Sequence, residues 1–327
     1  MIVVTGGLGF IGSALVKKLN NLGHKNIFIV DRFRSGEKWK NIQSCQIKDF
    51  VHADDFFQSS LVDEVTEVYH LGACSATTEY NVDYLMKNNY QFSQQMYKWA
   101  QKKGRSFVYA SSAATYGDGD NGYDDDHSQI HNLRPLNPYG YSKHLFDTWL
   151  LSEASTSCKW AGLKFFNVYG PNEYHKESMR SVIFHSYYQF KKENKVKLFK
   201  SYLPEYKHGE QKRDFIYVKD AVRCMVALME KIKEDSNNSG IYNIGTGKAH
   251  TFNELIQALF QSLGKGPKIE YTEMPEHLKN KYQYYTQANM SKFHRVVPDF
   301  HFTSLANNVH DYISKYLEND QSYIDFE

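Results

Sequence analysis

A tyrosine and a lysine four positions apart carry the clearest chemical signal in this sequence. Tyr139 and Lys143 belong to the run Pro-Tyr-Gly-Tyr-Ser-Lys at 138–143, and on a helix they would lie one above the other on one face. An ammonium close to a phenol favours the phenolate, so the pattern predicts a pKa of Tyr139 below its usual value of about 10. A general base near neutral pH needs such a pKa. Two ordinary surface residues of a helix are the alternative.

A serine upstream of this pair adds a hydrogen-bond donor. Ser112 follows Ser111 at the end of an apolar run at 107–110, which is typical of a strand. Placed beside Tyr139, its hydroxyl would bond to the reacting oxygen of a substrate. The three side chains together predict proton transfer at an alcohol or ketone.

A glycine pattern at the start of the chain predicts what positions this chemistry. Gly6, Gly9 and Gly12 lie between an apolar run at 1–4 and a helical pattern at 13–19. Gly6 permits a tight turn, Gly9 lets backbone N–H groups approach a pyrophosphate, and Gly12 lets the helix pack closely. The N-terminus of the helix then favours phosphate groups. A glycine turn without a ligand is the alternative.

A carboxylate after the second predicted strand favours the dinucleotide interpretation. Asp31 ends the apolar run at 26–30 and lies about 20 residues past the glycines, where a carboxylate meets the adenosine ribose. We therefore expect a dinucleotide site formed by the glycine turn and Asp31.

Strand and helix patterns alternate through the first half of the chain. Strands are predicted at 1–4, 26–30, 67–71, 107–110, 163–168, 213–218 and 240–245, and helices at 13–19, 83–103, 139–150, 179–191 and 221–231. This alternation predicts an α/β fold with a doubly wound parallel sheet of Rossmann type, whose ligands bind at the carboxyl ends of the strands. Thr251 and Glu254 predict a capping box for a later helix. Residues 1–168 and 213–250 are expected to form the cofactor-binding domain, and 169–212 with 251–327 a smaller α/β substrate-binding lobe.

Composition narrows the possible partners. The net charge of +2 argues against nucleic acid or an anionic membrane surface as the main partner, and no apolar run approaches the ~18 residues of a membrane helix. No basic segment precedes the first apolar run, so no secretory signal is predicted. A cytoplasmic location and a homo-oligomer are expected.

Two features that could suggest a metal site are interpreted otherwise. Cys45, Cys74, Cys158 and Cys224 are scattered without metal-ligand spacing and are expected to be reduced thiols. The acidic stretch within 117–138 also lacks such spacing, so a solvated surface loop is preferred to a cation site. No metal is predicted.

Three separated motifs resemble the extended short-chain dehydrogenase/reductase superfamily. They are the glycines with two residues between each, Ser112, and Tyr139 with Lys143. Members of this superfamily often act on nucleotide sugars, and their dehydratases usually carry an Asp-Glu pair after a threonine. Here Ser112 is followed by Ala-Ala-Thr-Tyr-Gly at 113–117, which argues against sugar dehydration.

Further segments are similar to one family, the ADP-L-glycero-D-manno-heptose 6-epimerases. They are Gly-Ala-Cys-Ser-Ala-Thr-Thr-Glu at 72–79, Asn-Asn-Tyr-Gln at 88–91, 110–117, His-Lys at 175–176 with Ser-Met at 178–179, and 282–288. The similarity runs over nearly the whole chain, and the segment at 175–179 is its most discriminating part.

The resemblance implies an isomerase that inverts C6″ of ADP-D-glycero-D-manno-heptose to give the L-glycero epimer, a precursor of the lipopolysaccharide inner core. A bound NADP would take a hydride and return it to the opposite face of a transient ketone. Tyr139 would serve one face, with Ser112 and Lys143, and Lys176 would be the second base. A solvated loop is the alternative for Lys176.

The resemblance also implies contact residues. The cofactor-binding residues would be Gly6, Gly9, Phe10, Ile11, Gly12, Asp31, Arg32, Lys38, Leu71, Gly72, Ala73, Cys74, Ser75, Asn88, Tyr139, Lys143, Val168 and Lys176. The substrate-binding residues would be Asn167, Ser178, His185, Phe199, Lys200, Ser201, Tyr202, Arg213 and Tyr282. Arg213 suits the diphosphate because its guanidinium binds phosphate as a fork; a surface salt bridge is the alternative.

The cofactor preference follows from opposed charges. Asp31 favours NAD, whereas Arg32, Arg34 and Lys38 can neutralise a 2′-phosphate. We expect NADP, with NAD also possible. The sequence departs from the family at Ala53, where a lysine is common, and at Arg32, where asparagine is commoner, and the insertion at 200–212 is longer than in some members.

Two other functions stay open at this stage. A different nucleotide-sugar epimerase or reductase of the same superfamily would use Lys176 for binding or structure alone. A dinucleotide-sensing protein without catalysis is the more distant alternative.

Overall fold

Strands and α-helices, numbered here in chain order, form the framework of the computed structural model, which describes residues 1–33, 36–153, 159–279, 282–320 and 322–326. The strands are β1 (Ile2–Thr5), β2 (Ile27–Asp31), β3 (Asp49–His52), β4 (Glu67–His70), β5 (Ser106–Ser112), β6 (Trp160–Phe165), β7 (Asn167–Tyr169), β8 (Val196–Phe199), β9 (Lys212–Arg213), β10 (Phe215–Tyr217), β11 (Gly240–Ile244), β12 (His250–Thr251) and β13 (Ile269–Thr272). The α-helices are α1 (Phe10–Asn21), α2 (Val82–Leu85), α3 (Phe92–Lys102), α4 (Pro138–Glu153), α5 (Val182–Glu193), α6 (Val218–Glu234), α7 (Phe252–Ser262), α8 (Glu276–Lys279), α9 (Ser291–Val296) and α10 (Leu305–Tyr312). Arg34 and Cys158 lie outside the described residues.

Seven strands form one parallel sheet in the order β11-β6-β5-β4-β1-β2-β3. Strands β1, β2, β6 and β11 are buried along their whole length, which explains why their sequences are mostly apolar. The order reverses between β1 and β4, and ligands of a doubly wound sheet bind at such a reversal. The predicted α/β fold with a doubly wound parallel sheet is confirmed.

Smaller strand pairs surround this sheet. The pairs are parallel for β7 with β10 and β8 with β13, and antiparallel for β9 with β12. The strand predicted at 213–218 is split into β9 and β10 by Asp214, whose buried carboxylate accepts the N–H groups of Thr246 at 2.7 Å and Gly247 at 2.9 Å. The capping box of α7 is confirmed: Thr251 Oγ1 accepts from Glu254 N at 2.9 Å, and Glu254 Oε2 accepts from Thr251 N at 2.6 Å.

The long helix predicted at 83–103 is present with an irregular middle. It runs as α2, a π-helical turn at Met86–Gln91, and α3. A π turn contains an extra residue, so it changes the directions in which neighbouring side chains project. Asn88 and Asn89 both lie in this turn.

The acidic loop differs from the expectation of a solvated surface segment. Asp125 is buried, and its carboxylate accepts the backbone N–H of Asn243 in β11 at 2.7 Å. Burial raises the pKa of Asp125. The surface interpretation is therefore wrong for Asp125, because the loop packs on the end strand of the sheet. None of the described helices has the length and apolar character needed to cross a membrane.

Candidate active site

A cleft of about 1330 Å³ lies at the carboxyl ends of β1, β4 and β5. Ordinary small-molecule pockets measure roughly 300–1,000 Å³, so this cleft has room for a dinucleotide and a second ligand side by side. Every predicted cofactor-binding residue lines it, and so do the four predicted catalytic residues Ser112, Tyr139, Lys143 and Lys176. The structure therefore brings distant parts of the sequence together at the switch point of the sheet.

The glycine turn has the shape that a diphosphate needs. Gly6 has a φ of +69°, and a Cβ atom added at Gly12 would lie 2.1 Å from the carbonyl oxygen of Gly6. Gly9 precedes α1 and has no side chain with which to cap the first N–H groups of the helix. These N–H groups are thus open to an anion at the cleft wall. The residues present fit the pyrophosphate of a dinucleotide.

Asp31 at the end of β2 already accepts several hydrogen bonds from the protein. Its carboxylate accepts from Leu8 N at 2.8 Å, Arg32 N at 2.7 Å and Lys38 Nζ at 2.5 Å. The guanidinium of Arg32 donates to Asn88 Oδ1 at 3.3 Å and also forms an ion pair with Asp54. With the ammonium of Lys38 on Asp31 and the guanidinium of Arg32 also in the cleft lining, this end of the cleft can meet either a ribose hydroxyl or a ribose phosphate.

The three side chains of the proton-transfer group lie on β5 and α4. Pro138 begins α4 and Asn137 Oδ1 accepts the N–H of Gly140 at 2.8 Å, which starts the helix just before its catalytic face. Tyr139 is hydrogen-bonded to Ser112, and Lys143 Nζ donates to the carbonyl oxygen of Ala110 at 2.8 Å. The end of β5 and the beginning of α4 therefore hold Ser112, Tyr139 and Lys143 close together.

The charge state of this group corrects one expectation. Burial raises the pKa of Tyr139, and the hydrogen bond from Ser112 only partly opposes the rise. Burial also lowers the pKa of Lys143 to about 8. The prediction that Lys143 lowers the pKa of Tyr139 is wrong for the protein alone, because desolvation of the buried phenol is the largest effect on that pKa.

Lys176 projects from the loop that follows β7. It lies in a short 3₁₀ helix at Tyr174–Met179, and its Nζ is 5.4 Å from the centroid of the Phe10 ring. Burial lowers the pKa of Lys176, while the carboxylate of Glu173 opposes this change. The next residue, Glu177, has a φ of +50°, a conformation that side chains other than glycine rarely adopt. Strained backbone of this kind is concentrated at functional sites.

Two buried polar residues that the sequence analysis did not single out hold this loop. Glu173 Oε1 accepts from Ser181 Oγ at 2.7 Å and from the hydroxyl of Tyr312 at 2.9 Å. Asn172 Nδ2 donates to Ser13 Oγ at 2.9 Å, which ties the loop to α1. The lysine loop is consequently fixed against three helices.

A hydrogen-bonded chain links the ends of β1 and β4 to the helix of Tyr139. Its members are Gly72, Thr5, His70, Ser93, Asn89 and Ser142, joined at 2.7–3.0 Å and ending at the carbonyl oxygen of Tyr139. Burial lowers the pKa of His70 to about 3, so the imidazole is neutral near pH 7. Thr5 and His70 are polar residues at the ends of apolar strands, and this contrast is the signal that could have identified them.

The predicted substrate-binding residues separate into two groups. Asn167, Arg213 and Tyr282 line the cleft. The others lie outside its lining: Ser178, His185, Phe199, Lys200, Ser201 and Tyr202. Lys200 forms an ion pair with Glu273 at 2.6 Å, and the hydroxyl of Tyr202 donates to the same carboxylate. Contact of this second group with a substrate stays a prediction.

Arg213 is buried at the cleft wall. Its guanidinium donates to the carbonyl oxygens of Lys212 at 2.8 Å and of Gln283, and it lies 5.3 Å from the ring centroid of Tyr282. Within the described residues it forms no ion pair with a carboxylate. The surface salt-bridge alternative is wrong, and a buried cation without an acidic partner suits an anionic ligand.

Comparison with known proteins gives a consistent result. The NAD dependent epimerase/dehydratase family matches residues 2–245. An ADP-L-glycero-D-manno-heptose-6-epimerase of Nitratidesulfovibrio vulgaris is 47% identical over 321 residues, which are 97% of this chain and 98% of the relative. That of Fusobacterium nucleatum is 45% identical over 337 residues, with 99% and 100% covered.

A solved structure is similar over the same length. The crystal structure of the Helicobacter pylori ADP-L-glycero-D-manno-heptose-6-epimerase has a TM-score of 0.79 at 28% identity, with 96% of this chain and 95% of that chain covered. The structure of MoeE5 in complex with UDP-glucose and NAD has a TM-score of 0.73 at 26% identity and covers 96% and 97%. Both share the doubly wound fold.

Proposed function

This chain belongs to the ADP-L-glycero-D-manno-heptose-6-epimerase family, and we propose that it inverts C6″ of ADP-D-glycero-D-manno-heptose to give the L-glycero epimer. The carrying observation is that Ser112, Tyr139, Lys143 and Lys176 line the same cleft as the glycine turn. An isomerase of this kind serves the synthesis of the lipopolysaccharide inner-core precursor.

The residues of the chain divide the work of the reaction. Tyr139, supported by the hydroxyl of Ser112, takes the proton of the C6″ hydroxyl and later returns one. Lys143 holds the nicotinamide ribose, and Lys176 handles the proton on the opposite face of the carbon. When bound, the cofactor supplies acceptance and return of a hydride, so no second redox partner is consumed.

The cofactor is a nicotinamide dinucleotide, and we propose NADP as the preferred form. Support comes from Lys38, whose ammonium pairs with Asp31, and from the cationic side chain of Arg32, which lines the same cleft and pairs with Asp54. Asp31 itself would accept a ribose hydroxyl of NAD, which stays the alternative. Binding of each cofactor to the protein stripped of its nucleotide, measured by calorimetry, distinguishes the two.

Arg213 and Tyr282 are proposed to hold the ADP diphosphate and the adjoining sugar. A fork of guanidinium donors matches two phosphate oxygens, and the ring of Tyr282 lies beside that fork with its centroid 5.3 Å from the guanidinium carbon. We assign residues 169–212 and 251–327 to the substrate lobe and the remainder to the cofactor domain. A homo-oligomer and a cytoplasmic location stay predictions from the sequence.

The direct test is conversion of the ADP-heptose without added cofactor. The protein is incubated with ADP-D-glycero-D-manno-heptose, and the configuration at C6″ is followed by NMR. Appearance of the L-glycero epimer to an equilibrium mixture supports the proposal. Conversion of GDP- or UDP-sugars with no change in the ADP-heptose would instead favour another nucleotide-sugar epimerase or reductase.

A further inference from the structure

A buried ion pair lies directly behind the proton-transfer group. Lys164 Nζ in β6 is 2.9 Å from Asp147 Oδ2 in α4, and the two side chains are 1% and 0% exposed. The hydroxyl of Tyr109 and Oγ of Ser111, both in β5, donate to the same carboxylate at 2.9 Å and 2.7 Å. Every oxygen of the carboxylate therefore has a partner inside the protein.

Stability alone gives little reason for this pair. The desolvation of two buried charges offsets most of their attraction, and apolar residues of similar volume are often as stable in their place. The contacts that the pair makes towards the cleft are therefore the informative feature.

The lysine end of the pair reaches the turn that presents Ser112. Lys164 Nζ donates to Thr115 Oγ1 at 2.5 Å, and Thr115 Oγ1 donates to the carbonyl oxygen of Ser112 at 2.8 Å. Ser112 Oγ accepts the N–H of Ala114 at 3.1 Å within the same turn. The position of the serine hydroxyl thus depends on where the ammonium of Lys164 is held.

The aspartate end of the pair acts on Lys143. Asp147 follows Lys143 by one helical turn on the same face of α4, and its negative charge favours the ammonium against the burial that lowers the pKa of Lys143 to about 8. The other titratable groups that interact with Lys143 are Cys74 after β4 and His70 in β4. Those facing Asp147 are Lys164, Tyr109, Tyr116, His127, His144 and Tyr139.

We propose that Asp147 and Lys164 are positioning residues for the epimerisation, Asp147 by keeping Lys143 an ammonium and Lys164 by fixing the turn of Ser112 through Thr115. This proposal rests on the proposed function only for its kinetic consequence. Neither residue touches the cleft, since neither lines it.

The first measurement does not depend on the substrate. The protein is labelled with [13Cε]lysine, the Lys143 signal is assigned through Lys143→Met, and its chemical shift is followed with pH in wild type and in Asp147→Asn. Because the ammonium of Lys143 is lost as the pH rises, removal of the carboxylate should move its titration to lower pH. Asp311→Asn is the matched control, since it breaks the Lys219–Asp311 pair at 2.8 Å, whose residues lie outside the cleft lining.

The double variant Asp147→Leu/Lys164→Met removes both charges and is expected to fold even if Asp147→Asn does not. Its Lys143 signal should also titrate at lower pH than in wild type. An unmoved Lys143 titration in either folded variant overturns the role of Asp147, whatever the substrate of the enzyme proves to be.

The second measurement uses the epimerisation itself. Thr115→Val keeps both charges, and we expect its kcat to fall about tenfold with an unchanged KM, because a displaced catalytic group affects the transition state more than the bound substrate. Thr115→Ser, which keeps the hydroxyl, should restore the rate. Equal kcat in Thr115→Val and wild type would overturn the role of Lys164. Absence of any epimerisation by the wild-type protein would count against the proposed function and leave the lysine titration as the deciding result.

Discussion

The ammonium of Lys176 lies over the ring of Phe10, with its nitrogen 5.4 Å from the ring centroid. Phe10 is the first residue of α1, so this contact connects the loop after β7 to the glycine turn at the far wall of the cleft. Because burial also lowers the pKa of Lys176, the contact lies in a partly desolvated site, where a cation–π interaction is worth about 2 kcal/mol. The ring of Phe10 therefore helps to hold the ammonium of Lys176 at the cleft.

Replacement of either proposed base should abolish most turnover and leave the cofactor bound. We expect Lys176→Met and Tyr139→Phe each to lower kcat by about 10²–10⁴-fold, the usual contribution of a positioned acid or base. Turnover is measured by NMR of C6″, and bound nucleotide by chromatography of the denatured protein.

Lys192→Met is the control for the loss of a lysine, since Lys192 is exposed in the last turn of α5. Its kcat should equal that of wild type. Near-normal turnover in Lys176→Met would show that this lysine is not a base, and the fold assignment would be unaffected.

The glycine turn should not accept a methyl group at Gly12. A Cβ atom there would lie 2.1 Å from the carbonyl oxygen of Gly6, so the backbone must shift. We expect Gly12→Ala to lower the free energy of unfolding by about 1–3 kcal/mol and to weaken cofactor binding strongly. Urea denaturation and calorimetry measure the two effects.

The matched control is Gly266→Ala. No atom lies within 4 Å of a Cβ added at Gly266. This variant should keep wild-type stability and cofactor affinity. An affinity of Gly12→Ala equal to that of Gly266→Ala would contradict the assignment of the turn to the pyrophosphate.

Loss of the buried guanidinium at Arg213 should weaken binding of the substrate nucleotide. We expect Arg213→Gln to raise the dissociation constant of ADP about 10- to 100-fold, since a charge-assisted hydrogen bond contributes about 1.5–3 kcal/mol. The dissociation constant of ADP for Arg213→Lys should lie between those for wild type and Arg213→Gln, because a lysine keeps the charge without the fork of donors.

Competition of ADP with the ADP-heptose gives this constant for each variant. Arg223→Gln is a suitable comparison, because Arg223 lies in α6 outside the cleft lining. Unchanged ADP inhibition in Arg213→Gln would place the diphosphate elsewhere.

Acid should destabilise the protein through His70. Burial lowers the pKa of His70 to about 3 from the usual 6.5, so below pH 6.5 the unfolded chain takes up a proton that the folded protein refuses. The stability is present above pH 6.5 and is lost as the pH falls. Between pH 7 and pH 5 we expect a loss of about 2 kcal/mol from this group.

The contribution is isolated by comparing urea unfolding of wild type and His70→Gln at both pH values. His70→Gln should be less stable than wild type at pH 7, with a smaller loss between pH 7 and pH 5. His24→Gln, which changes an exposed histidine, should have the same free energy of unfolding as wild type at pH 7 and at pH 5. An unchanged pH dependence in His70→Gln would show that another group unfolds the protein in acid.

The sequence predicted the sheet and the glycine turn because each depends on local pattern. Buried strands are apolar runs, and Gly6 and Gly12 are required by backbone geometry at their own positions. Burial was harder to foresee: Asp125 looks like any surface aspartate, and only its contact with Asn243 in β11 shows otherwise. The predicted direction of the pKa shift of Tyr139 was wrong for the same reason, since desolvation depends on the surrounding fold.

Long-range hydrogen bonds left the weakest trace in the sequence. Glu173 and Tyr312 meet across 139 positions, and no periodicity relates them. Lys164 leaves a clearer signal in the sequence, because a lysine within an otherwise apolar strand needs a buried partner. The six predicted substrate residues outside the cleft lining came from resemblance alone, which transfers residue identity and does not fix loop placement.

The π-helical turn at Met86–Gln91 directs the side chains of two adjacent asparagines to different partners. Asn88 accepts from Arg32 at 3.3 Å on the cleft side, while Asn89 bonds to Cys74 and Ser142 on the inner side. Deleting one residue here would restore regular helical spacing and rotate everything beyond it by about 100°. A regular helix in place of this segment would therefore break the connection between the cleft lining at Arg32 and α4, the helix that carries Tyr139. The extra residue of the π-helical turn is therefore part of what gives the active site its geometry.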